Sequence, residues 1–253
     1  MKVLLSPAKA LDMDKEINAP STSEPIFIDQ SAALMKKLAR LSSKKIGTMM
    51  HLSKDLSDLN HDRFQTWEPE VSLNGKNTYA IAAFNGEVYR GFDSPSLSKD
   101  KLMEAQDTVR ILSGLYGILK PLDVMYPYRL EMGTRWSVTP KITSLYKFWG
   151  TKIADSLNEE NEDGIIVNLA SAEYFKAVDR KALKGRVITP TFKEFKNGDY
   201  KIIMVFAKRA RGSMARYIVD HSISNPEDLK AFNTDGYRYD ENLSSENDWV
   251  FTR

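Results

Sequence analysis

The sequence predicts a mixed α/β (α+β) fold: one compact domain over residues 1–253 with a central mixed sheet. Short apolar runs typical of strands alternate with amphipathic helical runs along the whole chain, and no linker rich in Gly, Ser or Pro divides it. With 253 residues and 42% apolar content, the chain can bury one large core. An Asn-Gly pair between two β-rich runs also predicts a C-terminal β-hairpin.

In the first half of the chain, the spacing of apolar residues separates strands from helices. The run at 3–6 predicts a short buried strand that ends before Pro7, because the residue preceding a proline is disfavoured in a helix. YAIAAF at 79–84 predicts a central strand, and Asn85-Gly86 after it predicts a turn. Apolar residues at three-and-four spacing predict helices at 29–41 and 44–52.

In the second half, Ser98 is a candidate N-cap for a helix at 98–112, although Lys101 replaces the usual acid of a capping box. A further helix is predicted at 144–158. GIIVNL at 164–169 predicts a buried strand.

The clearest local signal is the hairpin predicted over 186–206 around Asn197-Gly198, which leads into a basic helix at 207–221. Gly212 lies between arginines of that helix, where the missing side chain would let an anion approach. An ordinary solvated face explains the pattern equally well. The polar, acidic tail from Asn233 onward is predicted to be irregular. Opposite the apolar side of the helix lie Lys208, Arg209, Gly212 and Arg216.

The net charge of +2 argues against a dedicated polyanion binder, but it hides an asymmetry. Residues 193–216 include seven basic and two acidic residues, whereas residues 227–248 include seven acidic and two basic ones. Patches of this kind create local fields that the near-zero sum does not reveal.

The composition excludes several chemistries. Cysteine is absent, so disulfides, thiolate catalysis, iron–sulfur clusters and cysteine-ligated zinc are excluded. The three histidines are far apart in sequence, and no P-loop or dinucleotide-binding motif occurs. We therefore expect no metal and no cofactor, and, without a signal peptide or an apolar run of membrane-spanning length, a cytoplasmic protein that does not enter membranes.

Three loops carry candidate binding groups. Ser6 and Lys9 follow the first predicted strand, at the strand end where α/β sheets collect ligands, and could hold a phosphate; a structural turn explains them almost as well. Asn85 and Tyr89 follow the next predicted strand in the same way. The segment GLYG at 114–117 resembles the hairpin of helix-hairpin-helix DNA-binding motifs, except that its glycines are three residues apart instead of two.

Seven sequence blocks together resemble one family, the bacterial YaaA peroxide stress resistance proteins. The resemblance runs in register over nearly the whole chain and implies a single YaaA-like domain. The blocks are LLSPAK (4–9), FNGEVYRG (84–91), LSGLYGILKPLDVMYPYRLEMG (112–133), FWG (148–150), NLASAEYF (168–175), AKRARGSMARYI (207–218) and FNTDGY (232–237).

The resemblance implies a cytoplasmic protein that protects cells from hydrogen peroxide by limiting free iron and so Fenton damage. It also implies a helix-hairpin-helix element beside a positively charged cleft that binds DNA. Carried over to this sequence, the DNA-binding residues would be Lys9, Gly114, Tyr116, Gly117, Lys120, Arg129, Lys208, Arg209, Arg211 and Arg216.

The leading hypothesis is thus a non-enzymatic protein that binds double-stranded or structurally distorted DNA through contacts with the DNA backbone. The alternative is an enzyme that acts on a nucleotide, nucleobase or damaged base. A deep pocket would favour the enzyme, whereas a shallow groove would favour simple binding. Direct iron sequestration fits the sequence poorly. In the enzyme hypothesis one pocket is lined by Ser6, Lys9, Asn85, Tyr89, Arg129 and Glu131.

Overall fold

The computed structural model describes residues 1–69 and 72–253. Its strands are β1 (Lys2–Leu5), β2 (Ala10–Leu11), β3 (Thr78–Tyr79), β4 (Phe84–Asn85), β5 (Val109–Ser113), β6 (Gly117–Leu119), β7 (Val124–Met125), β8 (Ile165–Asn168), β9 (Arg186–Lys196), β10 (Asp199–Lys201), β11 (Arg238–Asp240) and β12 (Asp248–Thr252). Its α-helices are α1 (Ile28–Leu38), α2 (Ser43–Met50), α3 (Lys54–Thr66), α4 (Ala80–Ala83), α5 (Glu87–Phe92), α6 (Lys99–Thr108), α7 (Leu145–Trp149), α8 (Lys152–Glu160), α9 (Ala172–Phe175) and α10 (Met204–Asp220). Short 3-10 helices lie at Ser94–Ser96, Pro226–Ala231 and Thr234–Gly236.

One mixed sheet organises the molecule, with strand order β11-β12-β9-β8-β1-β5-β6 and β10 paired to β9. The five strands β12, β9, β8, β1 and β5 are parallel to one another, whereas β11, β10 and β6 pair antiparallel to β12, β9 and β5. The predicted mixed α/β fold with a central mixed sheet is therefore confirmed. The sheet's central strands are buried, as expected for parallel strands that connecting helices cover.

Several local predictions are confirmed. Strand 3–6 is β1, helices 29–41 and 44–52 are α1 and α2, and strand 164–169 is β8. Ser98 caps α6, because its Oγ accepts a hydrogen bond from the Lys101 N–H at 3.3 Å. The helix α3 was not predicted.

The predicted strand at 79–84 is wrong. Only its ends, Tyr79 and Phe84, belong to the two-residue strands β3 and β4, and Ala80–Ala83 forms the fully buried turn of α4. A short apolar run does not distinguish a buried strand from a buried helix, and three alanines favour the helix.

The predicted helix at 98–112 ends early. Helix α6 stops at Thr108, and the next five residues form β5 beside β1. Val109 and Ile111 are fully buried there. The β-branched residues at this point favour the strand, in which both faces of the sheet cover them.

The assignment of a helix-hairpin-helix element to residues 114–117 is wrong, because residues 114–116 form the turn of a β-hairpin between β5 and β6, and Gly117 begins β6. Ser113 Oγ, inside the core, accepts hydrogen bonds from the N–H groups of Leu115 at 3.2 Å and Tyr116 at 2.9 Å. These amides therefore point into the protein. A Cβ on Gly114 would overlap the Leu130 carbonyl group, so this glycine permits close backbone packing.

Two further predictions are corrected. The helix at 144–158 is divided into α7 and α8 at Gly150, which adopts φ +51°. The tail beyond Asn233 is not irregular, because β11 and β12 extend the main sheet and bury Trp249 and Phe251.

The C-terminal hairpin and the helix after it are confirmed as β9, β10 and α10. Asn197 and Gly198 both have positive φ, which matches the tight hairpin turn expected of this pair. Helix α10 crosses α5 closely: a Cβ on Gly212 would overlap the Val88 carbonyl, and one on Gly91 the Arg209 carbonyl. The expected role of Gly212 in anion approach is therefore wrong, because its open side faces a helix.

Candidate functional site

A cleft of about 520 Å³ opens at the carboxyl ends of β1 and β8. In the sheet, β1 lies between β5 on one side and β8 on the other, so the connections from β1 run to opposite sides. Ligand sites in α/β sheets form at such a reversal, because the loops from the two strands diverge and leave a crevice. The cleft is walled by the loops after β1, β7 and β8, the start of α5, and one side of α10.

All six residues of the predicted pocket line this one cleft. The structure brings together Ser6, Lys9, Asn85, Tyr89, Arg129 and Glu131.

Ser6 joins three of the cleft's walls. Its Oγ accepts a hydrogen bond from the Ser171 N–H at 2.8 Å, and its carbonyl oxygen accepts one from the Tyr89 hydroxyl at 2.9 Å. The loop after β1 is thereby fixed to the start of α9 and to α5. Because the hydroxyl of Ser6 already has partners, its first role is to hold the shape of the cleft.

Glu131 neutralises one side of the cleft. Its carboxylate lies 2.8 Å from Lys9 Nζ and 3.3 Å from a terminal nitrogen of Arg129. Arg129 Nε is buried and has no hydrogen-bond partner among the described residues. A buried donor of this kind is costly unless a ligand or water accepts from it.

The α10 side of the cleft carries two cations. Lys208 and Arg211 are one helical turn apart and both line the cleft. Within residues 1–69 and 72–253, neither has a carboxylate or hydrogen-bond partner. Burial lowers the pKa of Arg211. A half-buried guanidinium that faces a cleft and has no carboxylate partner among the described residues fits an anionic ligand.

Three buried tyrosines complete the wall. Burial raises the pKa of Tyr89 and Tyr128 well above the usual value, and burial together with Glu173 and Glu131 raises that of Tyr174. Their phenols therefore stay neutral at physiological pH, and because the Tyr89 hydroxyl already donates to the Ser6 carbonyl, that ring serves the wall by packing.

Two cations of the predicted DNA-binding set are paired with other groups of the protein, and one of them also lies away from the cleft. Lys120 follows β6 towards the amino ends of the parallel strands, where its Nζ lies 3.1 Å from Glu160. Arg216 binds Asp220 at 2.8 Å and also donates to the Phe92 and Asp93 carbonyls.

The rest of that set divides by exposure. Tyr116 is 1% exposed, and Gly114 and Gly117 are buried with it in the β5–β6 hairpin, where they cannot reach a ligand surface. Arg209 is exposed and has no partner among the described residues. The members that line the cleft are Lys9, Arg129, Lys208 and Arg211.

Sequence reasoning missed several cleft residues, above all Ser171, Glu173 and Tyr174 in the segment after β8. The signal was available. This segment follows a predicted buried strand just as Ser6 and Lys9 follow the first one, so the strand-end argument applied to both.

Within residues 1–69 and 72–253, no group of three or more acidic or histidine side chains could hold a metal ion. No helix in these ranges combines the length and apolar character needed to cross a membrane.

The chain matches the family model described as "Peroxide stress protein YaaA" over residues 1–243. It is 49% identical to a UPF0246 protein of Ralstonia pickettii (strain 12J) over 256 residues, which cover 100% of this chain and 99% of the relative. A UPF0246 protein of Shewanella sp. (strain ANA-3) is 47% identical and one of Bordetella pertussis (strain Tohama I) is 48% identical, with the same coverage. The chain therefore belongs to the peroxide stress protein YaaA family.

Proposed function

We propose that this protein is a cytoplasmic peroxide-stress protein that binds double-stranded or distorted DNA across the mouth of the cleft. Through that binding it helps to limit free iron and Fenton damage. The family's peroxide-stress role supports the cellular setting. The cations of α10 carry the DNA-binding part, because Lys208, Arg209 and Arg211 have no acidic partner among the described residues.

Phosphate binding is the interaction that this arrangement favours. Lys208 is exposed at the cleft and Arg211 lies deeper in its wall, while Arg209 is exposed next to Lys208 on α10. Cations at two depths can contact successive phosphates of a backbone that passes over the opening, without reading base sequence.

Fluorescence anisotropy with an intact labelled duplex at several salt concentrations tests the DNA-binding part. We expect affinity to fall steeply with salt, with a log–log slope of about −0.9 for each phosphate contact. Lys208→Gln should weaken binding and make the slope shallower by about one contact. Lys36→Gln, an exposed lysine of α1, is the matched control. Salt-independent affinity, or equal effects of the two substitutions, would rule out this surface.

The iron-limiting part is tested in cells. Under peroxide, cells that carry only the Lys208→Gln protein should contain more free iron, measured by electron paramagnetic resonance of chelated iron, than cells with the Lys36→Gln protein. Equal iron levels in the two strains, at equal protein abundance, would separate iron control from DNA binding.

A second function, catalysis on a nucleotide, nucleobase or damaged base, is favoured by one observation. Six polar or charged residues from three separate segments converge on one cleft of about 520 Å³, a volume in the range of small-molecule sites. Backbone binding alone does not need such a cavity.

Glu131→Gln distinguishes the two functions. Glu131 neutralises Lys9 and Arg129, so its loss should tighten DNA binding several-fold if the cleft only binds. If Glu131 acts as an acid or base, the substitution should abolish the formation of product from nucleotides or damaged DNA, while binding persists. Chromatography measures the product. Glu24→Gln, at an exposed site, is the control.

A further inference from the structure

Exposed apolar side chains concentrate on the arm formed by the end of β9, β10 and the first turn of α10. Among the described residues, twelve large apolar side chains are strongly exposed, and six of these fall within residues 195–206. An apolar concentration of this kind marks an interaction surface. The six are Phe195, Tyr200, Ile202, Met204, Val205 and Phe206.

Two aromatic rings form a platform near the tip of the arm. Phe195 and Tyr200 are directly opposite each other on the two strands, and their ring centroids are 5.3 Å apart in an edge-to-face arrangement. Phe195 is 62% exposed and Tyr200 37%. Lys193 lies two residues before Phe195 and so on the same face of the strand.

The arm carries an excess of positive charge. The carboxylate of Glu194 in the arm is already paired, because it lies 2.8 Å from Arg253 and accepts a hydrogen bond from the Tyr237 hydroxyl. Asp199 is then the one acid available to balance the arm's lysines. These lysines have no ion-pair partner among the described residues and are Lys193, Lys196 and Lys201.

Exposed aromatic rings next to unpaired lysines fit a polyanion with accessible flat apolar faces. An unpaired nucleic-acid strand has both properties, because its bases can stack on aromatic side chains while its phosphates meet cations. The bases of an intact duplex are already stacked inside the helix. The arm is also continuous with the cleft, because Met204 and Lys208 at the start of α10 line its wall.

We infer that the β9–β10 arm is a base-stacking site, at which Phe195 and Tyr200 hold unpaired bases of a DNA strand whose backbone continues towards the cleft. This inference rests on the proposed DNA binding and adds the preferred structure: DNA that contains unpaired bases. In this inference the arm selects DNA that contains unpaired bases, and the α10 cations bind the DNA backbone in general.

The test compares the wild-type protein with the double variant Phe195→Ala/Tyr200→Ala. Anisotropy is measured with an intact duplex and with the same duplex carrying an internal single-stranded thymidine gap. We expect wild-type protein to prefer the gapped duplex and the variant to lose roughly tenfold in affinity for it. Affinity for the intact duplex should stay nearly constant. Ile26→Ala/Leu59→Ala, which removes exposed apolar side chains elsewhere, is the control.

Further readouts separate stacking from other roles of the arm. Phe195→Trp should keep the preference for the gapped duplex, because indole stacks at least as well as phenyl, and the salt slope of the double variant should match that of the wild type. An unchanged preference for gapped DNA in the double variant overturns the inference while leaving duplex binding intact. Absence of binding to either DNA overturns the proposed DNA-binding function as well.

Two other occupants of the arm are outcomes of the same experiment. If sedimentation velocity finds self-association of the wild-type protein that the double variant lacks, the arm is a contact between copies and the inference is overturned. Arm-dependent binding to vesicles of anionic phospholipid, with no preference for gapped DNA, overturns it equally.

Discussion

Individual cations of this chain differ in what surrounds them, and the difference decides their roles. Lys120 and Arg216 are held by protein groups, whereas Lys208 and Arg211 face the cleft without partners among the described residues. Sequence composition counts all four alike. Lys120 is held by Glu160, and Arg216 by the Phe92 and Asp93 carbonyls as well as by its helix neighbour Asp220. The distant partners make the distinction depend on the tertiary structure.

Arg216→Ala should cost stability and leave DNA affinity nearly unchanged. Its guanidinium donates to the Phe92 carbonyl at 3.2 Å, the Asp93 carbonyl at 2.9 Å and Ser96 Oγ at 2.7 Å, which fastens α10 to the end of α5. Loss of these bonds should lower the free energy of unfolding by roughly 1–3 kcal/mol, measured by urea denaturation. Arg209→Ala, at an exposed site without a partner in the part of the chain that the structure describes, should do the reverse: weaken DNA binding and leave stability unaffected.

Asp123 should make stability depend on pH. Burial raises its pKa from 3.8 to about 6, although Ser23 and the Lys120 N–H donate to its carboxylate. Because the folded protein holds this proton more tightly than the unfolded chain, the stabilisation is complete below pH 3.8 and is lost as pH rises to about 6.

Asp123→Asn provides the measurement for this residue. Relative to the variant, the wild-type protein should lose on the order of 3 kcal/mol of unfolding free energy between pH 4 and pH 7, as two pKa units imply. The difference between the two proteins cancels the other carboxylates. A difference that is constant with pH would contradict a raised pKa.

At the scale of elements, the crossing of α10 and α5 explains glycines that helix propensity alone does not. A glycine inside a helix costs about 1 kcal/mol relative to alanine. Gly212 in α10 and Gly91 in α5 each face backbone atoms of the other helix, so neither position has space for a side chain. The close approach brings α10, and with it Lys208 and Arg211, against the cleft wall.

Gly212→Ala should therefore destabilise the protein in spite of the better helix propensity of alanine. The new methyl group would overlap the Val88 carbonyl and force the helices apart, which should cost about 3 kcal/mol in chemical denaturation. Gly47→Ala in α2 is the matched control, because the nearest atom there is the hydroxyl of Ser57, which can rotate. We expect a clearly smaller loss for Gly47→Ala, and equal losses would contradict the crossing geometry.

Elements were predictable where local chemistry determined them. The pair Asn197-Gly198 favours a tight hairpin turn by itself, and the Ser98 side chain caps the helix that follows it. Both predictions are confirmed. The failures at 79–84 and 109–113 share one cause. Each segment is almost completely buried, so the neighbours that bury it decide its conformation, and these neighbours cannot be identified from one sequence.

At the scale of the whole molecule, the sheet order makes the candidate site. Loops that follow β1 and β8 are far apart in sequence, yet they meet because these strands are parallel neighbours. Ser6 and Lys9 were therefore predictable from sequence, because they follow a strand. The closure of the cleft by α10 was not predictable, because that contact depends on the helix crossing and not on a strand end.

The last strand tests whether the sheet is one cooperative unit. Phe251 in β12 is fully buried and packs against Phe192 of β9 with ring centroids 5.6 Å apart, so the C-terminal segment forms part of the core. Phe251→Ala should lower the free energy of unfolding by about 3–5 kcal/mol and shift the whole denaturation curve, followed by circular dichroism. Leu243→Ala, at a side chain that is 42% exposed, should change stability by less than about 0.5 kcal/mol. If Phe251→Ala produced only an early, partial transition, the C-terminal strands would unfold separately from the rest of the sheet.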